Sequence, residues 1–210
     1  VSGSHTILMR ELSPSLWSAV QGCAADVGQR PDTVVLALFA VLIARLSGNE
    51  QTAIDVARGS SWQNLDIGVN PAADLTGAIE LLNQAQSDSA PESVPHAEVG
   101  FSTDKDADTD GFGVFVTLTM DSDVAILTVE FDADTWRPER GVSLLDQLVQ
   151  LIANAIGRPH SAVFEHSLIT DRARQQLPDA SAPITVQRYA PVADTVKAIA
   201  DYAGEAVAVR

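Results

Sequence analysis

Ten consecutive residues, Val34 to Ile43 (VVLALFAVLI), carry no polar side chain. Asp32 stands before the run as a cap and Gly48 just beyond it as a stop, so the spacing predicts a helix over 33–46. A helix that is apolar all round has no face to give to water and must be buried on most sides. The run is too short to span a bilayer and runs into Arg45. The chain therefore has to build its other elements around this helix.

The flanking sequence supplies them. Thr6 to Glu11 reads as an edge strand. Ser13 and Pro14 open a helix as N-cap and first residue, with Leu16, Val20, Cys23 and Val27 as its apolar stripe and Gly28 at its end. Gln51 to Ala57 reads as a short strand, and Arg58 to Pro71, rich in Gly, Ser, Asn and Pro, as a loop. Leu75, Ala78, Ile79 and Leu82 repeat at helical spacing, giving a helix over about 74–86. Ser87 to Pro95 reads as a further loop. Three strands are expected at Ala97 to Thr103, Gly113 to Met120 and Asp123 to Phe131, the last two joined tightly enough to pair antiparallel. Pro138 then opens a long helix to about 156, with Val142, Leu145, Val149, Ile152 and Ile156 in line and Gly157 after them. The order is α+β, with one mixed sheet covered on one side by the helices.

Residues 1–5, with Gly3-Ser4-His5, read as a tag remnant, and native sequence is expected from about Thr6. Residues 6–176 form the main body. From 177 to 191, Pro178, Pro183 and Pro191 mark a linker. Within 192–210, Val192 to Tyr202 is expected to be helical and Ala206 to Val209 a strand.

With 28 acidic residues against 13 basic ones the net charge is −15, which repels phosphate backbones and anionic membranes. Neither nucleic acid nor a membrane is an expected partner. Cys23 is the single cysteine, so an internal disulfide and a thiolate metal site are excluded, and a reducing cytoplasm is the expected compartment.

Three segments together resemble the condensation domain of nonribosomal peptide synthetases. Thr33 to Gly48 (TVVLALFAVLIARLSG) is similar to the family's buried helix, T-x-x-x-x-L-A-A-x-A-x-L-L-A-R-L-T-G. Val124 to Ile156 looks like its late strand and long helix, and Ala162 to Ile169 like its exit segment. The tail, Thr195 to Val209, resembles the opening of an adenylation domain. The resemblance implies a single C-terminal lobe of the chloramphenicol-acetyltransferase-like fold, followed by an adenylation domain in cis. It also implies a carrier protein or an upstream synthetase subunit as possible partners.

The family's chemistry centres on H-H-x-x-x-D-G. Here His5, His96, His160 and His166 stand apart, and none is followed by Asp-Gly. The motif H-x-x-x-P-F-E is also missing. The expectation is a truncated lobe that catalyses nothing alone and serves as a platform for the adenylation domain. The alternatives are one half of a catalytic domain that forms amides between carrier-bound substrates, or a docking module. No cofactor is expected: phosphate loops, Gly-x-Ser-x-Gly and His-Glu-x-x-His are absent.

Other residues invite a functional reading. Asp106, Asp108, Asp110 and Gly111 match the first half of a calcium loop, but its twelfth position is Thr117, not Glu, so a solvated connection is expected. Asp110-Gly111 reads as a turn. Trp17 belongs to an amphipathic helix and should be core. Trp62, within the Gly/Ser/Asn segment, is the better interface candidate. Val192, Val196 and Ile199 share one helical face and are expected to seat the tail on the lobe.

Overall fold

The computed structural model describes residues 5–59, 61–92, 94–95, 97–177, 194, 196–198 and 201. The chain divides into two units, Val1–Gln175 and Gln176–Arg210. The first holds seven strands: β1 (His5–Leu12), β2 (Gln51–Arg58), β3 (Ser61–Gly68), β4 (Pro91–Glu92), β5 (Val99–Ser102), β6 (Val114–Met120) and β7 (Ala125–Asp132). Its helices are α1 (Pro14–Asp26), α2 (Pro31–Ser47), α3 (Leu75–Asp88) and α4 (Pro138–Gly157), and α5 (Asp171–Gln176) lies at the junction. In the second unit, Asp194, Val196, Lys197, Ala198 and Asp201 are helical, as the sequence leads one to expect.

The strands form one sheet in the order β1-β7-β6-β5-β2-β3-β4. β5 is parallel to both β2 and β6, and the remaining pairs are antiparallel, so the sheet is mixed. β6 and β7 form the expected hairpin, and β1 takes the expected edge position.

Alternation along the strands assigns the two faces. In β7, Ala125, Leu127, Val129 and Phe131 are buried while their neighbours are only partly so. Ile54 and Val56 of β2, Leu65 and Ile67 of β3, and Phe101 of β5 join the same core. α2 runs through its centre: Leu38 and Phe39 are fully buried, and Phe39 meets Phe101 with ring centroids 6.0 Å apart. α1, α3 and α4 pack around α2, which gives the apolar helix the enclosure it requires.

Several expectations need correction. Arg58 to Pro71 is not a loop but mostly β3, which pairs antiparallel with β2 after a turn at Gly59 (φ 62°). Its signal was the alternation of Leu65 and Ile67 about Asp66, hidden by turn-forming residues on either side. Asp32 does not cap α2. The N-cap is Arg30, and Asp32 sits in the first turn, where its carboxylate accepts from Arg30 Nε (2.9 Å) and Nη2 (2.8 Å) and faces the positive end of the helix dipole. Within 87–95, taken as a loop, the helix runs on to Asp88 and Pro91–Glu92 pairs with β3. The buried faces of α1 and α4 are also rotated from the stripes above. Trp17, Val20 and Ala24 are buried on α1, and Leu144, Leu145, Leu148, Leu151 and Ile152 on α4, with Val149 and Ile156 at the margin.

Candidate functional site

The sheet face turned away from the helices carries an unusual group of side chains. Register places Asp55, Ala57, Trp62, Asn64, Gly100 and Phe115 on it, since they alternate with the core residues of the same strands. Trp62 therefore stands on β3, not in a loop. Its ring meets Phe112 at 5.1 Å and Phe115 at 6.1 Å between centroids, and the two phenyl rings are 5.0 Å apart.

Topology explains why Phe112 is there. β5 and β6 are parallel neighbours, so the chain between them has to return along the sheet before it can start β6. Residues 103–113 make that return over this face and turn at Gly111 (φ 92°), as Asp110-Gly111 foretold. Phe112, 5% exposed, anchors the return. Gly100 leaves room for it: a Cβ at that position would come 2.2 Å from Phe115 Cδ2 and 2.9 Å from Phe112 Cε1.

Asp55 lies beside these rings and is fully buried. Its carboxylate accepts from Asn64 Nδ2 (3.0 Å) and from the backbone N–H of Ala97. A buried acid needs such donors to stay in place. With them, it fixes the approach to β5. Toward β1 the same face is more exposed: His5 Nδ1 lies 2.9 Å from Glu130 Oε1, and Ile7 (58%) and Met9 (63%) are open to solvent.

Two carboxylates of the acidic return loop turn back onto its own backbone. Asp104 Oδ1 accepts from the Asp106 N–H and Asp108 Oδ1 from the Asp110 N–H, at 3.0 and 3.1 Å. Among the described residues no three His, Cys, Asp or Glu side chains converge as metal ligands. Of the remaining candidates, Trp17 is buried as expected, and its Nε1 faces the Asp121 carbonyl at 3.4 Å. Trp136 packs on Phe131 and lines an apolar groove of about 450 Å³ with Ile43, Leu46, Val99, Arg140 and Leu144. Burial, with Asp26 nearby, pushes the Cys23 thiol up, away from the reactive thiolate.

The histidines occupy separate environments. His5 is on β1. His160 Nδ1 is 3.9 Å from Asp74 at the start of α3 and largely exposed. His166 is fully buried. His96, Val192 and Ile199 lie outside the described residues, as do most of 178–210; Val196 is described, and it is helical and exposed. Among the described residues no single helix is long and apolar enough to cross a membrane.

No family model matches the sequence, and neither does any curated protein. Solved structures do match its fold. The first condensation domain of the CDA synthetase superposes with a TM-score of 0.65 at 14% identity, over 80% of this chain and 49% of that one. The fold is that of a condensation-domain lobe. Holo-AB3403, a four-domain nonribosomal peptide synthetase bound to AMP and glycine, matches at TM-score 0.67 and 12% identity over 80% of this chain and 18% of its own. The X-domain from teicoplanin biosynthesis, solved in complex with OxyB, matches at 0.65 and 11% over 80% and 49%. The chain thus spans about half the length of the condensation domain and the X-domain. The lobe is a single chloramphenicol-acetyltransferase-like unit, as the sequence resemblance implied.

Sequence reading found Trp62 but not its partners Phe112 and Phe115, nor Asp55 or the burial of His166. An acid between Ile54 and Val56 in a strand was the available signal for Asp55.

Proposed function

We propose that this lobe performs no chemistry of its own and serves as a rigid platform for an adenylation domain following in the same polypeptide. The observation that carries the reading is the combination of a condensation-domain lobe with four histidines that stand apart and lack the Asp-Gly that follows the catalytic pair. Holo-AB3403 supports it as a case in which this fold is one part of a four-domain synthetase. The resemblance of Thr195 to Val209 to the opening of an adenylation domain gives the partner.

The test compares the adenylation domain alone with the same domain carrying residues 6–176 ahead of it. The platform reading expects a higher melting temperature and better solubility with the lobe present, and amino-acid activation in both. Equal stability and activity without the lobe overturns it. So does turnover of carrier-bound aminoacyl substrates by the lobe that is lost on mutating a histidine.

A second reading is a docking module for a carrier protein or an upstream subunit. The match to the X-domain in complex with OxyB favours it, as do the exposed Ile7 and Met9 beside Glu130. Ile7→Asp with Met9→Asp would then abolish binding in calorimetry while leaving the melting temperature in place.

A further inference from the structure

After α4 the chain runs as a strap, 158–169, across the ends of three helices. From α3, the Leu75 N–H donates to the Pro159 carbonyl (3.2 Å), and the Val163 N–H donates to the Ala73 carbonyl (2.7 Å) just before it. From α4, Asn154 Nδ2 donates to the Ser167 carbonyl (2.9 Å). From α2, Arg45 Nη1 donates to the His166 carbonyl (2.7 Å) and lies 3.5 Å from that of Val163, with its guanidinium 5.5 Å from the Phe164 ring centroid.

His166 sits inside this closure with no exposed surface. Its Nδ1 is 3.4 Å from Arg158 Nη2, and its Nε2 is buried with no hydrogen-bond partner. A guanidinium can only donate, so Nδ1 must be the acceptor and the ring neutral, with its proton on Nε2. A second proton would turn Nδ1–H toward Arg158 and place a buried cation near two others, Arg158 and Arg45. Among the described residues, Glu165 is the nearby acid that opposes them. His160 and Asp74 stand where the strap meets α3.

We propose that the strap is a proton-released latch: it closes over the ends of α2, α3 and α4 while His166 is neutral, and opens when His166 takes up a proton. The opening frees the segment that leads out of the lobe into α5. Burial first, then the Arg158 and Arg45 charges, hold the ring below its ordinary pKa of 6.5. The open strap therefore binds the proton more readily than the closed one. Closure is undiminished above about pH 6.5 and weakens as pH falls from there toward the closed-state pKa.

Hydrogen exchange on the full chain tests this, read as protection factors corrected for the intrinsic rate at each pH. The Val163 and Leu75 amides should lose protection between pH 7.5 and 5.5, while Leu127 and Val129 in β7 hold theirs. His166→Asn should abolish the response. Arg158→Gln, at an exposed side chain, should weaken it by bringing the closed-state ring nearer its ordinary pKa. Equal loss in β7, no change at Val163, or an unaltered response in Arg158→Gln overturns the latch. If His166→Asn does not fold, an NMR titration of His166 decides in its place: a midpoint at or above 6.5 overturns the proposal, and one below it supports it.

Discussion

Gly141 of α4 rests against the ring of Phe131 in β7: a Cβ at position 141 would come 2.3 Å from Phe131 Cε1 and 2.9 Å from Leu8 Cδ1. The contact sets how closely the long helix lies on the β1–β7 edge of the sheet. Gly141→Ala would normally stabilise a helix by about 1 kcal/mol. Here Phe131 is buried at 1% exposure and has nowhere to move. Overpacking costs roughly 1–3 kcal/mol, and a 2.3 Å approach to an immobile ring belongs in the upper part of that range, so the helix gain is outweighed. Chemical denaturation should show a net loss of up to about 2 kcal/mol. A gain in stability would show that the helix can lift off without penalty.

Asp55 ties the β2–β3 hairpin, through Asn64, to the segment that leads into β5, through Ala97, and Asp55→Ala strands the donors that face it. The Ala97 N–H and the Asn64 amide lose their acceptor next to a buried site. Unsatisfied buried donors cost about 1–3 kcal/mol. The midpoint of urea unfolding should fall accordingly, with the sharpest loss of exchange protection in residues 97–101. Unchanged stability would mean that water replaces the carboxylate there.

Trp62→Ala removes one wall of the three-ring cluster. Of its ring contacts among the described residues, the return loop then keeps the Phe112–Phe115 pair at 5.0 Å. Aromatic pairs add about 0.5–1.5 kcal/mol each beyond their buried area. Loss of roughly 2–3 kcal/mol and faster proteolysis within 103–113 are expected. A variant with intact stability but lost partner binding would instead return Trp62 to the interface role that its sequence neighbourhood implied.

Those expectations also show where sequence reading works. The apolar run of α2, the Ser13-Pro14 start of α1 and the hairpin at Met120 to Ala125 are local signals, each complete within a few residues. β3 failed because its alternation covers only Leu65 to Ile67, while Gly59, Asn64 and Pro71 argue for a loop; only pairing with β2 makes it a strand. The candidate site is less legible still. Trp62, Phe112 and Phe115 meet because β5 and β6 run parallel, and no local pattern states that. His166 reads as an ordinary polar residue until Arg45 and Arg158 enclose it.

The β1–β7 pair bears on how the chain reaches this fold. His5 and Glu130 are side-chain partners across it yet lie 125 positions apart. Of the seven strands described, β1 is made before the others, yet it can be seated only after β7, the last of them, has emerged. Until then its backbone donors and acceptors are open on both edges, a state prone to pairing with the wrong neighbour. Such long-range pairing is slow to form, because loop closure has to precede any gain from contact. The lobe is therefore expected to acquire its outer edge late, with translation beyond Asp132 as the event that permits it.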